Sequence, residues 1–209
     1  MSDEGEPAGF ELTWVRLPGQ RRGQPDQAEQ DRAGDGADRG AWDALRGKGE
    51  RYELRSADVV EARLWYQRRS GAQGCAGEGR WRFSRAGFWH PRVIIEAAGS
   101  RREIARFTTR WLGTGSLEMP DGARFHWGPS NFWQSQWAWQ DGAGAPLLRF
   151  GRGGGKTWGP GKAAGSVTVE EASRTLPELP LLLLLGWYLE LLRAQDTLDT
   201  TAAVTVVTG

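Results

Sequence analysis

Apolar and polar side chains alternate in short runs through residues 50–170, and a continuous apolar stretch follows at 179–192. Period-two alternation places one face of a strand in a core and the other in water. On that basis Arg51–Arg55, Val60–Tyr66, Arg80–Phe83, Val93–Ile95, Glu103–Phe107, Ser116–Met119, Arg124–Trp127, Phe132–Trp139, Pro146–Phe150 and Ser166–Glu170 are predicted strands. Pro120-Asp121-Gly122 and Asp141-Gly142-Ala143-Gly144 supply hairpin turns between them. Upstream, Phe10–Leu17 alternates as a further strand, whereas residues 18–41 contain no large apolar side chain and read as a flexible insertion. Trp42 and Leu45 suit a short docking turn. Gly71–Gly77, which includes Cys75, reads as an exposed loop.

A repeat underlies the hairpins. Arg82-Phe83-Ser84-Arg85, Arg106-Phe107-Thr108-Thr109-Arg110 and Arg149-Phe150-Gly151-Arg152 each set an Arg-Phe pair before another Arg. An apolar pair follows as Phe88-Trp89 and Trp111-Leu112, and Phe132-Trp133 takes the same place in a unit opening at Phe125. Each unit reads as a strand, a bend with an apolar plug and a returning strand, on the scale of a supersecondary repeat. About four such units form a meander that removes its edges by closing on itself.

The stretch Leu179–Leu192 has a Pro-rich entry and is apolar on nearly its whole circumference, which predicts a helix over 179–193 buried on all sides or placed in lipid. Its fourteen residues span about 20 Å, short of the roughly 30 Å hydrocarbon core. Pro180 and Glu190 interrupt it, and neither flank clusters Lys or Arg. Burial inside a closed sheet is the favoured reading. A single membrane span is the rival.

Composition sharpens this picture only in places. Twelve Trp and 30 Gly among 209 residues suit short strands with tight turns. The net charge of +1 conceals an asymmetry: residues 1–50 carry 7 basic and 11 acidic side chains, residues 51–170 carry 18 and 10. A single cysteine excludes an intrachain disulfide, and the N-terminal Met-Ser-Asp-Glu-Gly-Glu lacks a signal-peptide pattern, so a cytoplasmic location is expected. The expected division is an N-terminal segment over 1–49, a barrel with central helix over 50–195 and a tail over 196–209.

A run of barrel-forming hairpins with units at Arg82, Arg106 and Arg149, turns at Gly99, Asp121-Gly122 and Asp141-Gly142, and an apolar helix at Leu179–Leu192 resembles the tubby C-terminal-like superfamily. That superfamily embraces tubby proteins, phospholipid scramblases and LURP-one-related proteins. The resemblance covers roughly residues 50–195 and rests on order and spacing. It implies a mainly β fold, a twelve-stranded closed antiparallel barrel enclosing a hydrophobic C-terminal helix. It also implies binding to phosphoinositide headgroups or membranes, although no binding-residue signature of the family is present.

No motif for catalysis emerges. Gly151–Thr157 ends like a phosphate-binding loop, but the position that requires Gly is Phe150, and Trp158-Gly159-Pro160-Gly161 cannot open the necessary helix. Cys75, His90 and His126 are too scattered for a metal site. Glu96, Glu103 and Glu118 alternate outward beside Arg and read as cross-strand partners. Trp133, Trp137 and Trp139 are assigned to one strand face, packing inward on the helix, with stacking on bases or sugars as the outward alternative. Arg82, Arg106, Arg110, Arg149 and Arg152 are the candidate contacts for anionic lipid headgroups, as a basic stripe or otherwise a solvated face. The expectation is a monomeric, non-enzymatic binding or scaffold domain without cofactor, metal or nucleic-acid partner, and with an unidentified protein partner. A scramblase-like membrane protein and an enzyme with a dispersed site are the alternatives.

Overall fold

The computed structural model describes residues 9–17, 49–68, 71–87, 91–100, 102–110, 113–152 and 163–207, with backbone alone at 152, 163 and 198–207. Twelve strands form one closed antiparallel barrel: β1 (Phe10–Arg16), β2 (Glu50–Ser56), β3 (Val59–Gln67), β4 (Gly71–Ala76), β5 (Gly79–Ala86), β6 (Arg92–Ala97), β7 (Glu103–Thr109), β8 (Gly115–Glu118), β9 (Arg124–Pro129), β10 (Gln136–Gln140), β11 (Pro146–Arg152) and β12 (Ala163–Val169). Each strand pairs with its sequence neighbours, and β1 closes the ring against β12 through Phe10↔Val169 to Val15↔Ala163. A 3-10 turn at Glu171–Ser173 leads into helix α1 (Leu179–Val207).

The alternation decides the register. In β7 and β8, Phe107 opposes Leu117 on the inner face while Arg106 opposes Glu118 on the outer. Slipping by one residue would place the charges in the core and the aromatics in water. The turn at Pro120-Asp121-Gly122 forms as expected: Gly122 takes φ +91°, a conformation a side chain would strain, and Met119 N–H donates to the Ala123 carbonyl at 2.9 Å.

Helix α1 fills the barrel. Leu181 to Leu185, Trp187, Tyr188, Leu189 and Leu191 are all buried. Trp187 stacks on Trp14 at 5.3 Å, Tyr188 stacks on Phe83 at 5.5 Å, and Trp139 Nε1 donates to the Leu182 carbonyl at 3.0 Å. Glycines admit the helix where the walls come closest. A Cβ at Gly74 of β4 would lie 2.8 Å from Leu184 Cδ2, one at Gly165 of β12 would lie 2.7 Å from Trp187 Cζ3, and Gly186 of α1 faces the Phe150 ring.

Four expectations need correction. Residues 10–16 belong to the barrel and do not precede it, because the free edges of β12 and β2 need a strand between them to close the ring. Gly71–Ala76 is a buried strand and not an exposed loop; its small residues reflect the passing helix, and Cys75 is half-buried in it. The helix does not stop at 193 but runs to Val207, since no Gly or Pro interrupts 194–207. The strand expected over Phe132–Trp139 is confined to β10, so Trp137 and Trp139 point inward and Trp133 does not. The insertion at 18–41, the docking turn at Trp42 and Leu45, His90 and the glycine-rich 153–162 lie outside the described residues.

Candidate binding surface

Among the described residues α1 occupies the barrel interior, so candidate binding residues are those of the outer surface. The cleft beside the emerging helix, lined by Val93, Phe107, Leu189, Leu192 and Asp196 among others, has a volume of about 40 Å³. That is room for a water or two and not for a substrate.

The outer wall carries Arg82, Arg106 and Arg149, but not as one stripe. Arg82 is on β5, Arg106 on β7 and Arg149 on β11. Glutamates interleave with them. Arg82 stands opposite Glu96 in the β5–β6 register, Arg106 meets Glu103 at 2.7 Å, Arg124 meets Glu118 at 3.2 Å and Arg149 meets Glu170 at 3.1 Å. Around the barrel, Glu53 accepts from both Arg55 and Arg63. The exposed pairs among them, Arg106–Glu103 and Arg124–Glu118, add little stability, whereas Glu53 and Glu170 are buried. Together the pairs offset part of the field that would draw an anion to the wall, whose strands carry twelve basic and seven acidic residues.

The ends differ from the wall and from each other. At one end lie the turns 57–58, 77–78, 98–102, 119–123 and 141–145 and the entry to α1 at 170–178. Together these hold seven acidic and three basic residues and no aromatic. At the other end, the shorter connections 68–70, 87–91, 110–114, 130–135 and 153–162 hold Arg68, Arg69, Arg110, Lys156 and Lys162 and no acidic residue. The same five connections contain Phe88, Trp89, Trp111, Phe132, Trp133 and Trp158. The sixth, 17–49, balances six basic against six acidic residues. Arg110 and Arg152 sit at this basic end, which separates them from the other three candidate arginines.

Helix α1 leaves the barrel at the basic end, adds Arg193, Asp196 and Asp199 to the residues there, and is tied to the wall. Arg85 Nη1 meets Asp196 at 3.0 Å, Tyr66 OH donates to Gln195 at 2.5 Å, and Arg193 bridges Glu190 at 2.8 Å while lying 3.7 Å over the Trp137 ring. Burial pushes the Tyr66 hydroxyl up to about 12, and that of Tyr188 higher still, for the same reason.

Of the aromatics in these connections, Phe132 and Trp133 are described, and they are 88% and 81% exposed. The repeat assigned this pair to an internal plug, an expectation the structure overturns. The signal that would have found it is the polar frame Ser130-Asn131 and Gln134-Ser135, which offers the pair no apolar neighbours in sequence. Phe88-Trp89 and Trp111-Leu112 lie outside the described residues. Comparison with protein families, curated proteins and solved structures finds no match to this chain.

Proposed function

We propose that this chain is a non-enzymatic, tubby-like binding or scaffold module, cytoplasmic and monomeric, that engages anionic phospholipid headgroups with the basic end of its barrel. The observation that carries the reading is the sorting of charge between the two ends: five basic residues and no acid in the short connections of one, seven acids against three bases at the other. A negatively charged surface attracts the first end and repels the second, which orients the barrel axis toward the membrane plane's normal. Each Lys or Arg near such a surface contributes about 1 kcal/mol. Arg110 and Arg152 thereby become the contacts among the five candidates, while Arg82, Arg106 and Arg149 take structural roles beside glutamates.

The alternative of a membrane-inserted helix has less support. No helix among the described residues is long and apolar enough to cross a bilayer, and the apolar side chains of α1 are already packed against the barrel wall.

The test is sedimentation with vesicles of phosphatidylcholine alone or mixed with phosphatidylserine. Binding is expected to the mixed vesicles only, to weaken as salt is raised, and to be lost in Arg110→Glu with Arg152→Glu but retained in Arg82→Gln with Arg106→Gln. Equal recovery in the supernatant with both vesicle types would refute the reading.

A further inference from the structure

A pair of exposed aromatic rings projecting into water needs an explanation, because such rings are ordinarily the first to be buried. Phe132 and Trp133 lie at the tip of the β9–β10 hairpin, edge to face with ring centroids 5.3 Å apart. The hairpin beneath them is held by side chains. Asn131 Oδ1 accepts from the Ser135 and Gln136 amides at 3.0 and 3.3 Å, and Asn131 Nδ2 donates to Ser135 Oγ at 2.7 Å. Trp137, itself buried, donates from Nε1 to the Gln134 carbonyl at 3.1 Å. Gln134 takes φ +52° to complete the bend. The display is therefore preorganised, and inserting the rings into another phase carries little ordering cost.

We propose that Phe132 and Trp133 are a wedge that inserts into the interfacial layer of an anionic membrane, an inference that rests on the basic end being the membrane-facing one. Three observations choose a lipid surface over a protein. The pair caps a hairpin whose neighbours Ser130, Gln134 and Ser135 are polar and exposed, so among the described residues no apolar core of the kind a protein interface builds around its anchors surrounds it. Trp and Phe with polar flanks match the preference of amphipathic rings for the headgroup boundary. The described residues of this end's connections include Arg68 and Arg110 and no acid, which complements negative lipid charge. Electrostatics would bring the barrel to the membrane, and the wedge would slow its departure.

Both rings are exposed, so Phe132→Ala with Trp133→Ala should leave the melting temperature and the far-ultraviolet spectrum unchanged. In the mixed phosphatidylcholine–phosphatidylserine vesicle assay this double variant should bind about tenfold or more weakly than the unaltered chain. Its residual binding should stay salt-sensitive. As a second readout, lipids brominated on the acyl chain should quench a component of tryptophan emission that is missing from Trp133→Phe. Undiminished binding by the double variant, or identical quenching of Trp133→Phe and the unaltered chain, would overturn the wedge while leaving the electrostatic reading intact. Failure of the unaltered chain to bind the mixed vesicles would overturn both.

Discussion

Gly186→Ala separates a helix seated in a barrel from a helix that merely has apolar residues. In an ordinary helix interior Ala is favoured over Gly by about 1 kcal/mol, so the substitution should stabilise. Here the added Cβ would lie 2.7 Å from Phe150 Cε2 and 2.9 Å from Cε1, and nearer still to Cζ. Carbon atoms rest about 3.5–4.0 Å apart, so the ring must retreat by roughly 1 Å. It has little room. Phe150 is buried, edge to face with Trp127 at 5.3 Å, and its strand is hydrogen-bonded on both sides by β10 and β12. Overpacking of this kind costs about 1–3 kcal/mol. With three ring atoms involved, the upper half of that range applies. Subtracting the helix-propensity gain leaves a net destabilisation of about 1–2 kcal/mol, or roughly 3–6 °C in melting temperature for a chain of this size. Urea and thermal unfolding measure it. Phe150→Leu should recover part of the loss, with a favourable coupling of about 1 kcal/mol between the two sites. A melting temperature that rises in Gly186→Ala, or a coupling near zero, would refute the seating of α1 against β11.

Two further predictions probe the same core. Gly74→Val places a side chain against Leu184 Cδ2 and the Arg63 carbonyl and should destabilise by about 1–3 kcal/mol; Leu184→Ala in the same chain should relieve part of that loss in chemical unfolding, and strict additivity of the two changes would argue against the contact. The three tyrosines, Tyr52, Tyr66 and Tyr188, all have hydroxyls raised by burial, with a hydrogen bond to Glu50 adding to the effect at Tyr52. Their folded-state values lie above the unfolded value near 10, so the stability they contribute is complete below that pH and is lost as pH climbs through the folded values, by about 1.4 kcal/mol per pH unit for each group. Tyrosinate absorbance should therefore emerge together with loss of near-ultraviolet dichroism. Titration of all three near pH 10, with the dichroism intact, would contradict their burial.

These predictions concern a core that also constrains function. Among the described residues α1 fills the barrel interior, so the proposed binding role falls to the rim and the wall. On the wall each candidate arginine is countered by a glutamate in register or in direct contact. At the basic rim the short connections carry no acidic residue, and acids there, Asp196 among them, come from α1 and from 17–49.

Local pattern was enough for most of the fold. Alternation at Val60–Tyr66, Glu103–Phe107 and Arg124–Trp127 favours one pairing of faces, and an all-round apolar helix too short to span a bilayer has to be enclosed by something, so a closed barrel around α1 was legible from residue order alone. What the pattern could not supply depended on contacts between residues distant in sequence. Gly71–Ala76 has the composition of a loop, and only the passage of Leu184 explains why glycine and alanine suit a strand there. Phe10–Arg16 becomes a barrel strand only because Val169 and its neighbours, more than a hundred residues away and paired with β11 on one edge, lack a partner on the other edge without it. The arginine stripe was an artefact of reading along the chain: side by side in the repeat, its members are dispersed around a cylinder and interleaved with glutamates once strands pair. Phe132 and Trp133 read as core because large aromatic side chains usually are. Their position on a polar hairpin tip at the basic end was decided by closure of the barrel, which fills its interior with α1 and leaves that pair outside.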